Sequence, residues 1–345
     1  MTDDSRSNDS RSGEPTLPRP SPPGHRLTAW LVGIAISLVF FALAVRGVDW
    51  PALRDAVVAL DSARAGSLAA LAALLSIAHL WLRAARWRLL VEPLTADSTT
   101  PISTHRLFVV SWIGAALDNL LPARAGDVAR AALLRRDGVS GSAAFGTIIV
   151  ERLIDVLATQ LLLVAAMLVA PLPPWLLGAG AATLAIALFV FAGIALALSQ
   201  SDRLRGLTVP LPERFQRYGI SSASAFLAGL RAALRFERAP TLVAWSLAIH
   251  AANLGAVACM LVACGVGGAN EVELAVRAVT ILTFVSFAIM LPAAPGQMGT
   301  LHFACVAALS LAGVAATPAL AFALLYHATQ YLPVTAGMLL FSGER

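Results

Sequence analysis

The chain has 345 residues, of which 58% are hydrophobic and only 13% charged, with a mean hydropathy of +0.76. A soluble domain averages about 45–50% apolar and about 25% charged, so a purely soluble fold is excluded and a polytopic helical membrane protein is indicated. All 25 basic residues are arginine, and the net charge of +5 reflects composition rather than a nucleic-acid partner. Cys259, Cys264 and Cys305 show no paired spacing and the six histidines no HExxH pattern, so neither a disulfide framework, a metal site nor a cofactor is expected.

Residues 1–26 are rich in Ser, Asp, Arg and Pro and are expected to form a disordered cytoplasmic tail. From residue 27 to 345 the chain reads as one transmembrane domain. Full spans need about 20 apolar residues. Six segments qualify: 28–46, 67–90, 143–170, 174–199, 241–264 and 317–341. Two further apolar stretches, 102–136 and 277–314, are interrupted by a shared phrase, Leu-Pro-Ala-x-x-Gly. The first copy contains Pro122 and Gly126; the second contains Pro292, Pro295 and Gly296. Proline and glycine break helices most strongly.

Arginine placement sets the expected orientation. Arg83, Arg86 and Arg88 close the second span, and seven arginines crowd the 200–240 connection, whereas Glu271 and Glu273 mark the 265–276 loop. Cytoplasmic termini in the cell membrane satisfy this pattern only if 102–136 and 277–314 each enter and leave on one side, as re-entrant hairpins from opposite faces. Arg83, Arg86, Trp87 and Arg88 then read as an interfacial Arg/Trp anchor. Residues 213–238 alternate arginine with apolar positions, as an amphipathic connector on the anionic inner leaflet does.

After each hairpin comes Gly-Val and a span with a polar cluster at matching distances. Gly138-Val139 is followed by Glu151, Arg152 and Asp155, and Gly313-Val314 by Tyr326, His327 and Gln330. About ten residues into a span lies near the bilayer midplane. The expected fold class is therefore all-α, with about six full spans plus two re-entrant broken-helix hairpins as an inverted repeat. Its halves are about 67–199 and 241–341, joined by the 200–240 connector.

Glu151 and Asp155 fall on one helical face, with Arg152 beside Asp155. Charges near the bilayer centre cost at least about 2.5 kcal/mol each on insertion scales, so they are expected to face the protein interior, as an ion pair or as a head-group site. Asn119 is expected to satisfy carbonyls freed by Pro122. A helix restarting at Gly126-Asp127 offers N–H groups to an anion, with Asp127 as N-cap. Arg124 and Arg130 add bidentate phosphate donors, or else snorkel to the cytoplasmic surface. Gly296 and Gln297 repeat that geometry without arginine.

The block Asn119-Leu-Leu-Pro122-x-Arg124-x-Gly126-Asp127, then Gly138-Val139-Ser140, Glu151-Arg152-x-x-Asp155 and Pro295-Gly296-x-x-Gly299, resembles the transmembrane flippase-like domain of lysylphosphatidylglycerol synthases and its stand-alone relatives. Arg83-x-x-Arg86-Trp87 fits loosely. The resemblance spans about 28–341. It implies movement of a lipid between leaflets. The soluble aminoacyl transferase that full-length members carry is not expected after Arg345, so synthase activity is not implied.

The leading expectation is a lipid flippase for an anionic or aminoacylated phospholipid, or a polyprenyl-phosphate-linked lipid. Arg124, Arg130 and Arg152 would hold the phosphate, with Glu151 and Asp155 balancing charge. No Walker motif is present, so ATP is not expected to drive it directly. The alternative is a non-transporting accessory subunit of a glycosyltransferase or envelope lipid-synthesis enzyme. An intramembrane enzyme, with Glu151 and Asp155 as acid and base, has no nucleophile or metal motif behind it.

Overall fold

The structure, a computed structural model, describes residues 23–58, 63–95, 101–121, 125–200, 213–234, 236–291 and 293–340. Among these residues it is all helical. In chain order the helices are α1 (Pro23–Ala44), α2 (Trp50–Val58), α3 (Ala63–Val91), α4 (Thr104–Leu120), α5 (Ala125–Leu134) and α6 (Gly141–Val169). They continue with α7 (Pro174–Ser199), α8 (Glu213–Ala233), α9 (Ala239–Ala263), α10 (Glu271–Ala288), α11 (Thr300–Leu311) and α12 (Ala316–Gly337).

Each apolar segment read as a span coincides with one helix: α1, α3, α6, α7, α9 and α12. Three of them, α3, α7 and α9, are long and apolar enough by length and composition alone to cross a membrane. α6 is 29 residues long but carries three charges near its centre. α7 leaves apolar side chains uncovered around its surface, with Ile186, Leu188 and Phe189 63%, 56% and 80% exposed. Such a continuous apolar surface suits lipid rather than water.

The two interrupted stretches each form a pair of helices, α4 with α5 and α10 with α11, and each pair packs against itself. One apolar core surrounds the first pair, around Trp87, Leu107, Leu134, Ile148 and Leu230. Another surrounds the second pair, around Ile281, Phe284, Leu309, Phe322 and Tyr326. α3 lies along α9, and α6 along α8. The α6–α8 approach depends on Gly229 and Gly146, where an added Cβ would strike the Ala143 and Phe226 carbonyl regions. Small residues permit such backbone contact between apolar helices.

Two features depart from expectation. Asp49 accepts from Ala52 N–H (3.1 Å) and starts the short α2 inside what reads as a loop. The apolar positions of the amphipathic connector, Phe226, Leu227, Leu230 and Leu234, pack into the core around the first hairpin rather than onto a lipid surface. The expected tail, 1–26, lies outside the described residues as far as residue 22; α1 already begins at Pro23.

Candidate functional site

The first hairpin brings its two legs into backbone contact at two glycines. A Cβ on Gly126 would run into the Gly114 carbonyl oxygen, and one on Gly114 would meet the aliphatic stem of Arg130. α4 ends as Leu121 turns extended, with its N–H on the Leu117 carbonyl (2.7 Å). α5 restarts at Ala125, and the Asp118 carboxylate accepts from Gly126 N–H at 2.7 Å. The helix N-terminus expected to face an anion is therefore capped by Asp118. Asp127, expected as that cap, sits in the first turn and reaches sideways instead. Pro122 and Arg124 lie outside the described residues.

From α5 the side chains of Asp127 and Arg130 point toward α6, where Glu151, Arg152 and Asp155 lie. Glu151 is fully buried. One of its oxygens accepts from Arg130 (2.7 Å) and the other from Arg83 (2.7 Å). Arg86 stands 3.8 Å from the same carboxylate and binds Asp155 at 2.5 Å. Arg152 binds Asp127 at 2.6 Å and stands 3.5 Å from Asp155, as the i,i+3 spacing predicts. Arg86 also donates to the Ser246 hydroxyl of α9 (3.0 Å), and Arg130 stacks 4.0 Å over the Trp87 ring. That ring is itself held by Trp87 Nε1–H donating to Thr147 Oγ1 (3.0 Å).

These contacts correct the reading of Arg83, Arg86 and Trp87 as an interfacial anchor. Arg86 and Trp87 have no exposed surface. α3 does not end at these arginines but runs on through the buried Leu90 and Val91. Only Arg88 stays at the surface, donating to Thr104 Oγ1 (3.1 Å). Arg130 does not snorkel either; it is 5% exposed.

The network is thus four arginines (83, 86, 130, 152) on three carboxylates (127, 151, 155), with one positive charge in excess. Every carboxylate meets at least two arginines, which offsets much of the desolvation that buried charges suffer. Nε–H groups of Arg86 and Arg130 find no acceptor among the described residues. One edge is open: the side chains of Arg83, Arg152 and Asp155 are 23%, 27% and 28% exposed.

The second hairpin ends in different chemistry. Pro295–Gln297 form a 3-10 turn in which Gly296 (φ 69°) and Gln297 (φ 58°) are left-handed. Gln297 accepts from the Thr300 hydroxyl through its carbonyl (3.1 Å) and its side chain (3.2 Å). Gly299 N–H donates to His302 Nδ1 (3.3 Å), so this N-terminus too is capped by the protein. His302 packs edge-on to His327, their ring centroids 5.0 Å apart, and His327 to Tyr331 at 5.4 Å. Tyr326 and His327 are buried. Gln330 Nε2 is buried without a partner among the described residues. α1 braces this turn, since Ser37 Oγ accepts from Ala294 N–H at 2.7 Å. Pro292 lies outside the described residues.

The two breaks touch. The Tyr331 hydroxyl donates to the Asn119 carbonyl (3.4 Å), and a Cβ on Gly296 would lie against both the Tyr331 ring and that carbonyl. The Asn119 side chain donates to Thr335 Oγ1 (3.0 Å) rather than to carbonyls freed at Pro122. The charged network on α3, α5 and α6 and the His–Tyr cluster on α11 and α12 therefore flank a junction, rather than merging into one centre.

Sequence reasoning gave Arg83 and Arg86 a surface role and did not single out Asp118, Ser246 or His302. A signal for the first two was present. Leu89-Leu90-Val91 continues the apolar pattern beyond them, which a span ending at an anchor does not do.

One family model, the lysylphosphatidylglycerol synthase TM region, matches residues 30–337. No curated protein and no solved structure gives a significant match.

Proposed function

The chain belongs to the lysylphosphatidylglycerol synthase TM-region family and is an integral membrane protein, and from that premise we propose that it moves an anionic lipid between leaflets. Its substrate class is an anionic or aminoacylated phospholipid or a polyprenyl-phosphate-linked lipid, and it acts as a transporter in the cell membrane with both termini cytoplasmic. The observation that carries this reading is the excess arginine inside apolar helices, with an edge open at Arg83 and Arg152. A lone phosphate supplies the charge this network lacks, and arginine binds phosphate oxygens bidentately. Asp155, on the same edge, would take a cationic aminoacyl group. The two hairpins fit an inverted repeat with the head-group held on the first and the neutral second repeat as the surface against which it moves.

Reconstituted vesicles test this. Arg152→Ala removes a charge-assisted contact of about 1.5–3 kcal/mol, so transbilayer movement of a labelled anionic phospholipid should fall at least about tenfold. The variant should keep its size-exclusion profile. Unchanged movement removes Arg152 from the site.

A second reading rests on the same network's dense pairing. If its ion pairs serve only to lock α3, α5 and α6 together, the chain is an accessory membrane subunit. It would then move no lipid and co-purify stoichiometrically with a lipid- or glycan-synthesis enzyme.

A further inference from the structure

A cavity of about 460 Å³ lies beside the second hairpin, outside both polar clusters. That volume falls within the range of small-ligand pockets. Its walls come from α1, α7, α10 and α11, and they are almost wholly apolar: Phe40, Trp175, Phe284, Phe287 and Phe303 are the aromatic lining, and the polar side chains at its edge are Thr183 on α7 and Thr300 on α11. Two aromatic pairs bound it. Phe40 and Phe303 have ring centroids 5.0 Å apart, and Trp175 meets Phe284 edge-on at 5.5 Å.

The polar rim leads back to the charged network. Thr183 Oγ1 accepts from Gln160 Nε2 at 2.8 Å. Gln160 lies five residues after Asp155 on α6, a rise of about 8 Å. In depth along α6 and across to α7 the order is thus charge, amide, hydroxyl and aromatic groove, with Gln160 turned about 140° from Asp155 around the helix. That is the order of polarity along an amphiphile, from phosphate through the glycerol ester region to a hydrocarbon chain.

We propose that this groove is the chain-binding subsite of the same transporter, and that it takes one acyl chain of an anionic phospholipid whose phosphate rests at Arg83 and Arg152. The proposal rests on the transport reading above for its head-group end. The groove's volume of about 460 Å³ suits a single acyl chain and not the much larger polyprenyl tail. Bulk lipid also touches any apolar surface, so the distinguishing property is dependence on the head-group.

The test uses the full chain in phosphatidylcholine vesicles and a phosphatidylglycerol probe with a photoreactive diazirine at its acyl terminus. The control probe is the matching diacylglycerol, which lacks phosphate. Peptides containing Trp175, Phe284 or Phe303 should be labelled about tenfold more by the phosphatidylglycerol probe. Arg152→Ala should remove that preference, and Ala179→Phe, which fills the groove from α7, should lower labelling by both probes. Equal labelling by diacylglycerol overturns the proposal, because ordinary bilayer lipid then explains the occupancy. Preferential labelling by a diazirine polyprenyl phosphate overturns the choice of chain. Head-group-dependent labelling without any transbilayer movement leaves this subsite standing and defeats only the transport reading.

Discussion

The two hairpins share the phrase Leu-Pro-Ala-x-x-Gly, yet they hold themselves open by opposite means. The first is surrounded by ions: Asp118 caps the restarted helix, and Asp127 and Arg130 join a seven-residue charge network reaching α3 and α6. The second uses neutral groups: His302 caps it, Gln297 folds onto Thr300, and Ser37 of α1 fastens its backbone. A charged site is costly to break at its fully buried members, since removing Glu151 leaves its arginines buried and uncompensated. A neutral site loses only one modest hydrogen bond at a time. The difference says which hairpin should be fragile.

The largest effect should come from Glu151→Leu, which strands Arg83 and Arg130 in the interior. It should destabilise the protein by about 3–5 kcal/mol in a detergent unfolding assay. The matching neutral change in the second cluster, His327→Leu, should cost clearly less; equal losses would break the contrast. Next comes Gly299→Ala, where φ is 86° and the new Cβ meets the Ser37 carbonyl. A loss of about 1–3 kcal/mol is expected, confined to the second hairpin and visible as faster hydrogen exchange in α11. Ser37→Ala orphans the Ala294 N–H and should cost about 1 kcal/mol, with transport of a labelled lipid retained. Arg88→Ala marks the floor. Its exposed side chain donates to Thr104 at the surface, so its melting curve should stay within about 0.5 kcal/mol of the parent, unlike any substitution at neighbouring Arg86.

Hydropathy made the spans legible because a lipid-facing helix must be apolar over its whole length, and the prolines and glycines marked the breaks because they disrupt helical hydrogen bonding. The charges on α6 were legible as an inward-facing cluster, since three together in an apolar run are too costly to leave facing lipid. Their partners on α3 were not. Arg83 and Glu151 are 68 residues apart, and no local period encodes a contact between helices. The positive-inside rule offered a sufficient surface role for Arg83 and Arg86, so the buried one was missed. Asp127 and Asp118 show a finer limit. Both can cap a helix, and only the crossing of the two legs at Gly114 and Gly126 decides that Asp118 does so while Asp127 turns to Arg152. The short α2 was passed over although Asp49-Trp50-Pro51 is a good start signal, because nine residues give too little hydropathy pattern to register.

The bond between Ser37 and Ala294 spans 257 positions. A ribosome adding about 5–20 residues per second needs roughly 13 to 50 seconds to cover that distance. For that interval α1 waits without the segment that its Ser37 fastens in the folded protein. The birth order of the chain thus makes α1 a waiting platform, and assembly of the second hairpin must be among the last steps by which the protein becomes whole.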